Sequence, residues 1–266
     1  MDPDIRPLRS LIKKDKLMAA TLALAYQVEA DELAEWNERF QAAAPQALLE
    51  WASARWGEQM ALTCSFGGAA GMVLLDMVTA VAPITPVLFL DTRLLFPETY
   101  QLVAEVQARY GIVPQAVQPA RTVAQQAAEE GPALWERNPD RCCGLRKVRP
   151  LAEALAAFDA WIAGIRRDGG GSRANTQLLE WSNKYHLVKL NPLAFWSERD
   201  VWRYIHQHNV PYNRLLDQGY RSLGCHTCTR LPTDADPRSG RWVGFPKTEC
   251  GLHLEQNTQS LEQIPL

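Results

Sequence analysis

No stretch of this 266-residue chain stays apolar for the roughly 18 residues that a membrane-spanning helix needs, so no such span is expected. Nor is there an excess of either charge: 28 Lys and Arg meet 30 Asp and Glu, a net charge of −2. That balance provides no global basic field for nucleic acid, and no aromatic-interleaved basic strip replaces it. Cysteine is sparse, with six residues. Disulfide frameworks belong to small secreted domains, so six cysteines in a chain this long read as ligands and nucleophiles kept reduced in the cytoplasm. With 47% of residues hydrophobic, a sizeable core is available and disorder is not expected. The length suits one large α/β domain or two small ones.

Residues 7–57 read as a helical segment. Lys13, Lys14 and Lys16 before the apolar run Leu17 to Tyr26 superficially resemble a secretion signal. The run is short and Ala-rich and passes into Gln27, Glu29, Asp31 and Glu32, which describes an ordinary helix. Leu33, Trp36 and Phe40 recur at helical spacing, with Asp31 as the expected N-cap. At Met60 the pattern changes to a strand through Cys64, a glycine-rich loop from Ser65 to Gly71, and a helix from Met72 to Val81. Strand, loop and helix in that order aim backbone N–H groups and a helix N-terminus at an anion. Further strands are expected at Val87–Leu90, Ile112–Val117, Trp161–Ile165 and His186–Leu190. Helices should open at Pro97 and, capped by Ser197 and Asp200, at Glu198, the latter burying Trp202 and Ile205. Alternation of this kind predicts an α/β fold, a parallel sheet flanked by helices, with ligands at the carboxyl ends of the strands. That rim would collect Ser65, Phe66, Gly67 and Gly68 with Leu90, Asp91 and Thr92. It would also hold Arg166, Arg167 and Arg173, whose guanidinium forks suit a sulfate or phosphate.

Four cysteines fall into two pairs. Cys142 and Cys143 are adjacent, about 3.8 Å apart at Cα, closer than an unstrained disulfide prefers. Cys225 and Cys228 form a CxxC turn. Together they offer the thiolate set of an iron–sulfur cluster or of a closed zinc site. His206, His208 and His226 read as surface groups. A basic stretch, Arg146-Lys147-Val148-Arg149, opens the next helix. From residue 231 the chain loses periodicity and looks like a mobile tail or lid. That tail carries Cys250, between Lys247 and His253, a candidate low-pKa nucleophile.

Taken together, these motifs resemble the assimilatory adenylyl-sulfate reductases of the cluster-containing bacterial and plant type, over about residues 58–253. The resemblance rests on Cys142-Cys143, Cys225-x-x-Cys228 and Glu249-Cys250-Gly251-Leu252-His253. It is extended by Leu90-Asp91-Thr92, Phe96-Pro97-Glu98-Thr99-Tyr100, Arg166-Arg167-Asp168 and Asp217-Gln218-Gly219-Tyr220. It implies an adenine-nucleotide α-hydrolase-like domain over residues 58–230, after the helical segment 1–57 and before a tail, 231–266. It implies a [4Fe–4S] cluster on Cys142, Cys143, Cys225 and Cys228, with Cys250 as the nucleophile that takes sulfite from adenylyl sulfate. Thioredoxin, or a glutaredoxin-like reductant, would then release the sulfite. Ser65 to Gly68 would cradle the nucleotide phosphate, Arg166 and Arg167 would hold the sulfate, and Lys147 would stand between cluster and substrate. His253 joins the expected substrate contacts, and a homo-oligomer is compatible with the resemblance. The loop departs from the family in Gly68-Ala69-Ala70-Gly71, where acidic or polar residues are usual. The bend after Asp168 is glycine-rich where the family tends to have Gln-Ser, and the segment before Lys247 is shorter. Rival readings are 3′-phosphoadenylyl sulfate reduction, an ATP pyrophosphatase and a zinc-stabilised binding module. The pyrophosphatase lacks its loop lysine and acid here.

Overall fold

The computed structural model describes residues 29–170 and 173–253. Expectations for residues 7–28, for Gly171 and Ser172, and for residues beyond 253 lie outside them. Helix α1, Glu29–Phe40, belongs to a first unit that ends at Ala42; all that follows belongs to a second. Because Glu29 and Ala30 are already helical, Asp31 lies inside α1 and is not its cap.

The second unit begins with α2, Pro45–Trp56, and β1, Met60–Thr63. Next come α3, Ala69–Val81; β2, Val87–Leu90; α4, Pro97–Tyr110; and β3, Gln115–Val117. Two short helices, α5 at Val123–Glu130 and α6 at Leu134–Arg137, precede α7, Pro139–Cys143. A π-helical turn, Gly144–Val148, joins α7 to α8, Arg149–Leu155. Then follow β4, Ala160–Ala163; β5, Leu179–Ser182; β6, Leu187–Leu190; and α9, Glu198–His208. The strand order is β3-β2-β1-β4-β6-β5.

Five strands run parallel, and β5 pairs antiparallel with β6. The sheet is therefore mixed, not wholly parallel as the strand–helix alternation suggested. The cause is chain length. A parallel neighbour needs a crossover of about a dozen residues, whereas only residues 183–186 separate β5 from β6, enough for a hairpin alone. Other boundaries shifted for local reasons. Helix α3 starts at Ala69, three residues early, because Gly68 is extended (φ −116°) and Ala69-Ala70 are strong helix formers. Strand β3 is three residues long, starting at Gln115. The expected cap of α9 is present in full: Ser197 accepts from the Asp200 amide and Asp200 from the Ser197 amide. Its buried face is Val201 and Ile205, while Trp202 is only half-buried.

Leu48, Leu49, Met72 and Leu75 are almost wholly out of water. Burying each such side chain contributes about 1.5–3 kcal/mol, so this face fixes α3 against β1 and thereby the start of the glycine loop. The chain leaves β1 outward to β2 and β3, then returns to lay β4 on the other side of β1. A crevice opens at that reversal, above the carboxyl ends of β1 and β4. There Gly164 packs so tightly on the loop that a Cβ would stand 3.2 Å from the Gly71 nitrogen. Residues 231–253 form no helix or strand, as the sequence implied. They are nevertheless packed: Arg241, Trp242 and Glu249 are buried, and Gly240 lies where a Cβ would overlap the Arg230 carbonyl.

Candidate active site

A cavity of about 490 Å³ occupies the crevice. Its floor is the loop after β1. Phe66 turns the chain with a left-handed φ of 51° and sends its ring down against Phe89, edge to face at 5.6 Å. Phe66 is thus a buried support and only its neighbours Ser65, Gly67 and Gly68 line the cavity. The Gly67 amide donates to Ser65 Oγ at 3.3 Å. A Cβ on Gly67 would meet Leu223 at 2.9 Å. Helix α3 has no side-chain cap and no acid in its first turn, and Ala69, Ala70 and Gly71 face the cavity. The arrangement presents unsatisfied N–H groups and a positive helix end to an anion. Asn213, which sequence reasoning missed, fastens the loop: its Nδ2 donates to the Phe66 carbonyl at 2.9 Å and to Thr99 Oγ1 at 3.2 Å.

The strip after β2 divides. Leu90 and Thr92 line the cavity, but Asp91 does not. Its carboxylate accepts from Tyr100 (2.6 Å), the Arg93 amide (2.9 Å) and Gln118 (2.8 Å). Burial alone would raise its pKa, yet these donors hold it below the usual carboxylate range. Asp91 therefore shapes the strand end. Thr92 links the cavity to the cysteines, with Oγ1 3.2 Å from Cys225 Sγ and its carbonyl accepting from Arg146 Nε at 2.9 Å.

The arginines after β4 also divide. Arg166 is at the rim, donating to Asp168 at 2.8 Å and to the Trp196 carbonyl at 3.1 Å. Arg167 is turned away from the cavity: it donates to the Thr176 carbonyl at 2.8 Å and lies 4.3 Å over the Phe195 ring. Cations that the sequence did not single out take its place. Arg238 and Arg241, from the aperiodic tail, line the cavity beside Arg173 and Lys147. Arg241 donates to Ser222 Oγ at 3.2 Å and to the Leu223 carbonyl at 3.3 Å. The only sequence signal for this pair was a charge repeated at i and i+3 in an otherwise irregular stretch.

The cysteine pairs meet behind these cations. All six cysteines among the described residues are free thiols, and Cys142, Cys143 and Cys225 are buried while Cys228 is half-buried. Burial, with each other's sulfurs adding to it, raises Cys142 to about 11; burial raises Cys143 to about 12. Lys147 lies among them. Burial works against its charge, but Cys225, Cys143 and Cys250 outweigh that and hold its pKa above the usual lysine value. Arg146, expected at a helix opening, is inside the π-helical turn and buried. Its Nη2 has no hydrogen-bond partner among the described residues, although Nη1 reaches Gln126 at 3.1 Å. A buried guanidinium nitrogen without a partner among the described residues, near the Cys142 and Cys225 thiols, is a donor suited to an anion. No three Cys, His, Asp or Glu side chains among the described residues converge on a single metal-ion position. His226 is exposed, as are His206 and His208.

The tail closes the cavity. Cys250 is half-buried in its wall. Before it, Glu249 is buried between Arg173 (2.9 Å) and Arg238 (3.1 Å). After it, His253 stacks on Trp161 at 5.1 Å with 13° between planes. His253 Nδ1 is buried with no partner among the described residues, and burial foremost keeps the imidazole pKa well below its ordinary value. Cys64, by contrast, lies beneath the loop, pushed up to about 12 by burial, and is chemically quiet.

The sequence matches the phosphoadenosine phosphosulfate reductase domain family over residues 59–231. It is 45% identical over 223 residues to an adenosine 5′-phosphosulfate reductase of Salinibacter ruber, covering 83% of this chain and 88% of that protein. It is 47% identical over 209 residues to adenosine 5′-phosphosulfate reductase 1 of Bacillus subtilis, covering 78% and 89%. Among solved structures it resembles the phosphoadenylyl-sulfate reductase of Candida auris in complex with phosphate. There the TM-score is 0.67 and the identity 31%, over 75% of this chain and 97% of that one. An FMN adenylyltransferase of Candida glabrata, at 15% identity and a TM-score of 0.53, shares the fold alone.

Proposed function

The chain belongs to the phosphoadenosine phosphosulfate reductase family, and from that premise we propose that it reduces adenylyl sulfate to sulfite and AMP with a dithiol protein of the thioredoxin type as reductant. One observation carries the reading: Cys250 lines the same cavity as Lys147, Arg173, Arg238 and the uncapped start of α3. The α-phosphate suits the helix end, and the sulfonate suits the cations around Cys250. The Cys250 thiolate attacks the sulfur of the substrate. A bond forms between the two sulfur atoms, the sulfur–oxygen bond to the phosphate breaks, and AMP leaves with that oxygen. Cys250 is left as an S-sulfocysteine. A thiolate of the reductant then attacks Cys250 Sγ, and sulfite departs with the electron pair of the sulfur–sulfur bond. The second thiol of the reductant resolves the mixed disulfide and returns Cys250 as a thiolate. Lys147 and the arginines neutralise charge that builds on the departing oxyanions.

Cys142, Cys143, Cys225 and Cys228 would hold a [4Fe–4S] cluster. The unpartnered Arg146 nitrogen and the thiol-only donor set fit that group. When bound, the cluster supplies a compact metal–sulfide centre that orders both cysteine turns. Arg146 and Lys147, on the π-helical turn, would offer it positive charge. We place the reaction in the cytoplasm, where such thiols stay reduced. Among the described residues no helix is long and apolar enough to cross a membrane.

Single-turnover mass spectrometry tests the proposal. Anaerobically purified protein mixed with adenylyl sulfate, without reductant, should gain one sulfonate on the Cys250 peptide; Cys250→Ser should gain none and keep its visible spectrum. An adduct formed only with the 3′-phosphorylated nucleotide would move the substrate to that compound. No adduct with either would overturn the mechanism.

A further inference from the structure

The turn between β5 and β6 does more than reverse the chain. His186 adopts a left-handed φ of 53°, and its amide donates to the Ser182 carbonyl at 2.8 Å, so the four-residue link is closed. Tyr185 is buried and meets Trp161 edge to face at 5.2 Å, which fixes its ring in the core. From there its hydroxyl donates to the Leu252 carbonyl at 3.0 Å. Lys184 Nζ donates to the Gly251 carbonyl. Both acceptors are backbone atoms, and they belong to the two residues that directly follow Cys250. Leu252 packs its side chain on the same core cluster that holds Tyr185 and Trp161.

The tail is thus gripped on either side of the nucleophile by two unlike devices. Glu249 is held by Arg173 and Arg238, which line the cavity. An incoming sulfonate competes with Glu249 for those guanidiniums, so that hold weakens as substrate enters. Lys184 and Tyr185 do not line the cavity, so no substrate group displaces them. The geometry points to Lys184 and Tyr185 as positioning residues that set the place of Cys250 Sγ for attack. This inference rests on the proposed role of Cys250.

The test uses the full-length, cluster-loaded protein and the variants Lys184→Met, Tyr185→Phe, their combination, and Lys184→Arg. Three quantities are read: the rate of S-sulfonate formation on Cys250 at saturating adenylyl sulfate, the Kd of AMP, and the rate of Cys250 alkylation by iodoacetamide without nucleotide. Losing a hydrogen bond from a charged donor should slow adduct formation at least about tenfold in Lys184→Met, and losing the neutral one about fivefold in Tyr185→Phe. AMP affinity should stay within about twofold, alkylation should quicken, and Lys184→Arg should recover most of the rate. A merely structural role would lower AMP affinity as much as the rate, and that outcome overturns the inference. So does an unchanged adduct rate in the combined variant. Alkylation requires no substrate, so unchanged alkylation in that variant overturns the clamp even if the proposed reaction is wrong. Should the combined variant not fold, Tyr185→Phe, which keeps the ring in the core, decides by the same criteria.

Discussion

Replacing Glu249 by Gln should open the tail while improving the site for oxyanions. Glu249 is 5% exposed in its side chain and accepts from Arg173 and Arg238, themselves 18% and 15% exposed. Gln keeps the shape and one acceptor but drops the charge. A hydrogen bond to a charged group contributes about 1 kcal/mol more than a neutral one, so two arginines put the loss near 2 kcal/mol. Full burial of the pair would make it larger, and the residual exposure argues against the upper figures for buried ion pairs. At 1.4 kcal/mol per factor of ten, tail opening should rise about 30-fold. Lys247 reports on it, because its side chain is 7% exposed and paired with Asp140 while the tail is closed. Tryptic cleavage after Lys247 should therefore quicken by about that factor, provided cleavage is slow relative to reclosing. The same change frees two guanidiniums, so inorganic sulfate and adenylyl sulfate should bind more tightly even as adduct formation slows. Cleavage unchanged within twofold would refute this account and place the latch elsewhere.

Two further outcomes follow from the same contacts. His253 stacks on Trp161 as a neutral ring, its pKa depressed first by burial and then by Lys189, Arg173, Arg238 and Lys184; Glu180 and Glu249 partly offset those charges through Lys189 and the two arginines. An undocked imidazole titrates near its ordinary 6.5. Docking is thus at full strength above that value and weakens as pH falls below it, by up to about tenfold per unit for one proton. Cleavage after Lys247, normalised to an unstructured peptide, should rise between about pH 6.5 and 5.5 in the native protein and stay flat in His253→Phe. Cys143→Ser should lose iron, measured by metal analysis; full retention would remove Cys143 from the ligand set.

The middle of the sheet was legible because β2 and β4 are unbroken apolar runs, stopped by Asp91 and Gly164. Pro97 and the Ser197–Asp200 box marked their helices because caps are chemistry of adjacent residues. Long-range choices were not legible. Arg166 and Arg167 look equivalent in sequence, yet Arg166 is extended, with φ −132° and ψ 148°, while Arg167 opens a 3-10 turn, and the two hold different carbonyls, of Trp196 and Thr176. Only one of them faces the cavity. Asp91 looked like a ligand contact but is consumed by Tyr100 and Gln118, which come from α4 and the end of β3. Arg238 and Arg241 were hidden because a loop that docks by ion pairs has no periodicity to read. Leu179-Glu180-Trp181-Ser182 is too short and mixed to declare itself a strand, and only the brevity of the link to β6 betrays its direction.

One wall of the cavity is made by the tail, through Arg238, Arg241, Glu249, Cys250, Leu252 and His253. Ligand binding and tail closure are therefore one linked equilibrium, and the factor by which either changes the other is the same in both directions. An inhibitor that touches only the loop of β1 and the rim after β2 gains nothing from closure and leaves the nucleophile accessible. One that carries an anion to Arg241, which does not hold Glu249, draws the wall shut, and its residence time is then set by how often the hairpin turn lets go.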